Sequence, residues 1–380
     1  MLPLLQDLNK QIESYIVESS LSKEDLELKD LMGRFSMAAL ASCAFGVDSG
    51  SFTNIEKPSE FVENAQKVFE VGDFWSLILR TIAMVTPKGM KKLFCALGFK
   101  NTPPVPSLKE QIFFQNVVDA TIRQRKESGM KRNDLVDLMI AATEGNLDST
   151  DESEQIQLNG GGKNSKTKKV GNAENYDDVI STAVILLIAG YDTTGTTMSY
   201  ILHELALNQD IQERLYEEIQ NAKDLSYDTI QSLPYLDAVI HETLRRHPVV
   251  ATLDRPCSTN YKIPNSNLLL EKGLRVRVNN VGICNDPNIF PKPEEWNPEN
   301  FLKENRGNRN PYSFMAFSLG PRNCIAMRFA MFEMKVAISH LVSKFLVLPT
   351  SKTCTNVQVD PKHVLGAAKG GLWVKFEERN

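Results

Sequence analysis

Apolar residues recur at helical spacing at the start of the chain, first as Leu4, Leu8, Ile12 and Ile16, then as Leu31, Phe35, Met37 and Leu40. That period predicts two helices between Leu4 and Cys43. The 61–99 stretch, with FWSLILRTIAMV at its centre, reads as a core helix pair stopped by the prolines of NTPPVP. The same apolar density also fits a lid or a membrane-contacting loop. Helical periodicity returns over 110–145, and then 148–175 turns Gly-, Ser- and Lys-rich with almost no large apolar groups, which predicts a flexible surface insertion. Beyond it, 177–207 is one long helical pattern and 209–222 a second, with QERLYEEIQ as its solvated face. PYLDAVIHETLRRHP forms a third helix between two prolines. From 252 the period shortens to two, as in LRVRVNNV, among Pro, Asn and Gly turns, so a few small strands are expected. A last helix is expected from Ile325 to Phe345, followed by LGAAKGGLWVKF as a hairpin turning at Gly370 and Gly371. The pattern predicts a mainly α chain with a minor antiparallel β part, as one domain over 1–380.

Composition narrows the function classes. Of 380 residues, 42% are apolar and 24% charged, which excludes a disordered, collagen-like or coiled-coil chain. Forty-three basic residues against 47 acidic ones leave a net charge of −4, so no field favours nucleic acid. Six scattered cysteines without a CxxC pair give neither a zinc knuckle nor a disulfide scaffold, and point to a reducing compartment. The longest apolar run, 179–190, is stopped by Asp178 and Asp192 short of the ~18 residues of a membrane span, and reads as a buried helix. MLPLLQDLNKQIESYI has no basic flank before an apolar core, so no signal peptide or anchor is expected there.

Three motifs carry chemistry. In Phe317-Ser-Leu-Gly320-Pro-Arg322-Asn-Cys324-Ile-Ala326, a glycine-bearing loop delivers a cysteine to the start of a helix. Helix N-terminal N–H groups and Arg322 favour negative charge there and would hold Cys324 as a thiolate, the form that ligates iron. The other five cysteines read as inert. In Ala189-Gly190-Tyr191-Asp192-Thr193-Thr194, Gly190 removes a side chain where a ligand could approach, and Thr193 can bond a carbonyl one turn back. Glu242 and Arg245, at i and i+3 between Pro234 and Pro248, share a helix face and can pair. His203, His241, His247, His340 and His363 show no metal-ligand spacing.

In this order the motifs resemble those of the haem-thiolate monooxygenases, the cytochromes P450, which carry F-x-x-G-x-R-x-C-x-G, A-G-x-[DE]-T-[TS] and E-x-x-R. AGYDTT, YDTIQSLPYLDAVIHETLRRHP and GPRNCIAMRFA look closest to the animal microsomal branch, its arthropod detoxification members above all. The resemblance implies haem b with Cys324 as its axial ligand, Arg322 and Arg255 as propionate partners, and Phe317 shielding the sulfur. It puts Ala189 and Gly190 at the cofactor, Asp192 and Thr193 in oxygen activation, and Glu242 with Arg245 as a structural pair. Ile188 and Thr194, Val249, Val250, Ala251, Thr252 and Leu253, and Leu365, Gly366 and Ala367 would face the substrate.

The implied reaction inserts one atom of dioxygen into a small apolar substrate (xenobiotic, steroid or lipid-like), with electrons from an NADPH-dependent flavoprotein reductase. The implied location is the cytoplasmic face of the endoplasmic reticulum membrane. By family order Leu4 falls near helix D, so the anchor, most of the first sheet and helices A to C are expected to be absent. Membrane contact is then expected through that missing N-terminus and the 61–99 region. A partial sequence of a normal enzyme and a truncated, inactive product both stay open, as does a haem-thiolate isomerase or peroxide-using enzyme. Two positions depart from the pattern: Ala326 replaces a glycine, and Pro298-Glu299-Asn300-Phe301 has Asn300 where the family has arginine, which nominates Arg306 or Arg309 as the replacement cation. Lys303, Arg306, Arg309, Arg328 and Lys335 flank the Cys324 loop and are expected to form a basic cluster facing the reductase.

Overall fold

A computed structural model describes residues 1–22, 25–54, 57–69, 108–144, 175–307 and 309–379. The expected insertion, apart from Asn175, and all of the 61–99 stretch beyond Phe69 lie outside the described residues. The chain opens with α1 (Leu2–Ser22), β1 (Leu26–Glu27) and α2 (Leu28–Leu40), the last running into a π-helical turn at Ala41–Phe45. Then come α3 (Glu60–Phe69), α4 (Leu108–Ser128) and α5 (Leu135–Glu144), so the 110–145 pattern is two helices, parted at Gly129 with φ +64°.

The centre is α6 (Tyr176–Leu207). Asn175 caps its first turn by accepting from Asp177 N, and Asp177 and Asp178 there complement the helix dipole. It crosses α2 at very short range, because a Cβ on Gly195 would lie 3.2 Å from the Cα of Gly33. Around α6 pack α7 (Gln209–Gln220), α9 (Pro234–Arg246) and α12 (Met327–Lys344), while α8 (Tyr227–Ser232) packs on α12; the short α10 (Asn280–Cys284) and α11 (Lys303–Arg306) lie between α9 and α12 in sequence. Pro234 begins α9 where a missing N–H costs nothing, and the helix ends just before Pro248.

Two apolar clusters meet along α6. One joins Leu31, Phe35, Ile201, Leu205 and Ile338; the other joins Val62, Phe114, Leu187 and Tyr191. By length and composition α6 could cross a bilayer, but it is packed on every side except one stripe and serves as the core helix.

The β part is small and antiparallel throughout: β1-β7-β6, β2-β5 and β3-β4, where β2 is Thr252–Pro256, β3 Tyr261–Lys262, β4 Leu269–Leu270, β5 Arg275–Asn279, β6 Phe345–Pro349 and β7 Trp373–Glu378. The expected hairpin over LGAAKGGLWVKF does not form. Gly370 (φ +87°) and Gly371 (φ +80°) do turn the chain, but β7 pairs with β6 and β1, while Ala368 bridges Val359. The run before the glycines is held by other partners, so the alternating apolar FLVLP segment takes the ladder instead.

Candidate functional site

The Cys324 loop is bent by Ser318 (φ +59°) and Gly320 (φ +77°), and is closed by Cys324 N donating to Phe317 O at 2.8 Å and Asn323 N to Gly320 O at 3.0 Å. This leaves a free, half-exposed thiol three residues before α12. Phe317 is half-buried against the main core, and Arg322 is exposed in the 3-10 turn Gly320–Arg322. Arg255 on β2 donates to Ser318 Oγ at 2.6 Å and to Asp254 O at 3.0 Å, tying the strand to the loop.

Ile325, next to the thiol in sequence, is 87% exposed; on α6, Ile185 is 65% exposed with Ala189 one turn further on. Phe329, early in α12, packs against both core clusters and so borders α6. An unpaired thiol at a helix start, uncovered apolar groups and an arginine anchored to the loop fit a flat, apolar, anionic macrocycle such as haem. Among the described residues no group of three His, Cys, Asp or Glu could hold a metal ion.

Helix α6 separates Thr193 from Asp192. Thr193 lies half-exposed on the open stripe with Ala189 and donates to Ala189 O at 2.8 Å. The Asp192 carboxylate is turned inward, 2% exposed, and is ion-paired to Lys29 of α2. The Lys29 ammonium also bonds Thr196 Oγ and, at 3.3 Å, Asp192 O. His363 Nε2 lies 3.7 Å from Asp192 Oδ1, while Asp192 Oδ2 is buried without a partner. These groups line a cavity of about 280 Å³ together with Tyr200 and Asp360.

Three expectations on α6 change. The space left by Gly190 is filled from α2, since a Cβ there would meet the Leu40 methyls at 3.0 Å, so the glycine serves helix packing rather than ligand approach. Ile188 and Thr194 are buried in the core, because they fall off the open stripe of Ile185, Ala189 and Thr193.

Glu242 and Arg245 are fully buried and doubly bonded, at 2.7 and 2.8 Å. Arg245 also donates to Cys284 O, Pro293 O and Glu295 O, satisfying its whole fork. Asn297 N and Asn300 Nδ2 complete the shell of Glu242 Oε1, at 2.9 and 3.2 Å. Arg309 donates to Asn300 O at 3.0 Å and lies over the Phe290 ring; Arg306 is exposed on α11. The basic cluster is therefore not one surface: Arg309 is half-buried, and Lys335 is 3% exposed, paired to Asp237 at 2.9 Å and donating to Gln231 O.

The two segments expected to face the substrate, 249–253 and the 365–367 strap, do meet, with Gly366 N donating to Val249 O at 3.2 Å. Val250 O and Ala251 O accept from Asn280, and Thr252 and Leu253 enter β2, opposite Asn279 and Val278. Leu365 and Ala367 close a tight turn at 2.7 Å. Sequence reasoning missed Lys29, Tyr200 and Glu204; each acts across more than 40 residues of chain, and no local signal marks it.

The cytochrome P450 family model matches residues 1–373. The chain is similar to cytochrome P450 9e2 of Blattella germanica at 34% identity, covering 98% of this chain and 68% of that protein. It is 32% identical to cytochrome P450 6B7 of Helicoverpa armigera, covering 94% of this chain and 66% of the relative, and 31% identical to cytochrome P450 3A9 of Rattus norvegicus, covering 97% and 68%. The chain thus spans about two thirds of the length of these curated relatives.

Proposed function

The chain belongs to the cytochrome P450 family, and we propose that it acts as a haem-dependent monooxygenase on a small apolar organic substrate. The observation that carries this reading is the half-exposed thiol of Cys324, closed into its loop by Phe317 O and set before the N-terminus of α12 beside the exposed Ile325. Cys324 would hold the haem iron, with Arg255 and Arg322 toward its carboxylates and Phe317 beside the sulfur. A thiolate-ligated haem supplies dioxygen activation, since electron density from sulfur favours O–O cleavage.

The chain's own part is to exclude water and to move protons. Ala189 and Ile185 present an apolar wall. The Thr193 hydroxyl is an O–H donor at the open stripe, and Asp192 on the inner side holds a carboxylate in a polar cavity from which protons can be drawn. Val249 to Leu253 and Leu365 to Ala367 are mostly small or apolar, which suits an apolar substrate. Electrons would come from an NADPH-dependent flavoprotein reductase at the endoplasmic reticulum membrane, as the family resemblance implies. The test is the absorption spectrum of the haem-loaded, reduced, carbon-monoxide-bound protein. A strongly red-shifted Soret band that is lost in Cys324→Ala supports the reading; the same band surviving in Cys324→Ala sinks it.

A further inference from the structure

We propose that Tyr200 is a positioning residue that fixes the 365–367 strap against Val249, with His247 and Glu204 as its support. The proposal rests on the reading above that these two segments border the substrate, and it adds the residue that sets the gap between them.

Gly366 is tied on both sides. Its N–H donates to Val249 O at 3.2 Å, and its carbonyl accepts from the Tyr200 hydroxyl of α6 at 2.8 Å. The approach is backbone to backbone, since a Cβ on Gly366 would lie 3.3 Å from Pro248 O. The neighbouring Val250 is held separately, its carbonyl accepting from Asn280 Nδ2 at 3.0 Å. The strap's own pairing is short: Asp360 N donates to Ala367 O at 2.8 Å and Lys369 N to Gln358 O at 2.7 Å around the Val359–Ala368 bridge. Leu365 and Ala367 turn back on each other, two left-handed glycines follow at Gly370 and Gly371, and β7 begins only at Trp373. Gly366 itself therefore depends on two tethers, Val249 O and the Tyr200 hydroxyl, beside that one bridge.

The Tyr200 ring is itself fixed. It stacks on His247 with ring centres 4.2 Å apart and planes within 5°, and His247 Nε2 lies 2.6 Å from Glu204 Oε1, one turn beyond Tyr200 on α6. Asn208 Nδ2 donates to the Glu204 backbone carbonyl at 2.8 Å. The three side chains thus close a ring from α6 to the end of α9 and back. Burial, reinforced by the Glu204 charge, pushes the Tyr200 phenol far up, so it stays an O–H donor at every working pH. Removing the hydroxyl while keeping the ring would free one side of Gly366 and leave the stack in place.

The experiment uses the full chain and Tyr200→Phe. Hydrogen–deuterium exchange of the peptide carrying Gly366 and Ala367 should speed up roughly five- to tenfold, the worth of one net hydrogen bond, while α12 amides keep their protection. In the haem-loaded protein, absorbance titrations with imidazole and with its bulkier benzyl derivative should give an unchanged imidazole affinity and a benzyl-to-imidazole ratio altered at least threefold. His247→Phe, which keeps the stack, should alter that ratio less than His247→Ala. Unchanged exchange at 365–367, or a rise shared equally by α12, overturns the assignment, as does an unaltered ratio. A wild-type protein without a thiolate spectrum sinks the monooxygenase reading instead, and the exchange measurement still decides the role of Tyr200.

Discussion

Asn300 donates its side-chain amide to Glu242 Oε1 at 3.2 Å, the same oxygen that Arg245 Nη2 reaches at 2.7 Å. A neutral amide thus stands where the family places an arginine, and the nearest further cation, Arg309, approaches through Asn300 O rather than through the carboxylate. Burial pulls the Arg309 guanidinium down from its ordinary range, while Glu242 pulls it up; its place over Phe290 makes it a packing element as much as a charge.

Asn300→Ala should therefore cost only about 1–2 kcal/mol in denaturant unfolding, because Glu242 keeps Arg245 and Asn297 N as donors. Glu242→Ala, which strands a buried guanidinium, should cost about 3–5 kcal/mol or abolish folding. Equal losses in the two variants would mean that the amide carries as much of the network as the ion pair does.

Asp192 and Thr193 are adjacent in sequence and opposite in role. Asp192→Asn leaves Lys29 without its buried counter-charge and should lower stability by about 2–3 kcal/mol, discounted from a fully buried pair because Lys29 is partly exposed. Thr193→Ala should stay within about 0.5 kcal/mol of wild type, since it removes one bond to Ala189 O on the open stripe. In a haem-loaded, reductase-coupled assay the same Thr193→Ala should divert reducing equivalents to peroxide or water with little change in substrate binding. Unchanged coupling of NADPH use to product would remove Thr193 from proton delivery.

How much of this was legible depends on how local the cause is. The span of α6 could be read almost to the residue, because its period is unbroken from 177 to 207. The Cys324 loop was readable because its glycine, arginine and cysteine lie within five residues, 320–324. Gly370 and Gly371 announced a turn, but a turn signal does not say which strand pairs beyond it, and that choice fell to FLVLP. Gly190 was assigned to a ligand because nothing in the local sequence reports that Leu40 comes to meet it. Lys29, 163 residues from Asp192, could not be seen at all.

The cations near Cys324 divide by burial, and this divides their expected effects. Lys303 and Arg306 are exposed on α11, so reversing both charges should slow reduction by an acidic flavoprotein partner, on the order of tenfold at low salt, and weaken the salt dependence. Arg309→Glu should instead lower the melting temperature, because it places a carboxylate near Glu242. Stopped-flow reduction across an ionic-strength series separates the two. A salt dependence unmoved by the Lys303 and Arg306 reversal would leave no steering role for α11.

Glu333 gives a pH prediction with a definite sign. It lies on α12 with no exposed surface and, among the described residues, no cation beside it to offset its burial, which pushes its pKa from 4.5 to about 8 against a smaller opposing pull from the Ser36 hydroxyl. Between those two values the folded chain holds a proton that the unfolded chain has released, so folding stability falls as pH rises through that window, by up to about 1.4 kcal/mol per pH unit. Glu333→Gln cannot ionise and escapes this loss. Its urea midpoint relative to wild type should hold steady below pH 4.5, climb from there to about pH 8, and level off above it, where the wild-type carboxyl is ionised in both states. A difference between the two proteins that stays constant from pH 5 to 8 would mean that Glu333 is charged in the core and has found a partner there.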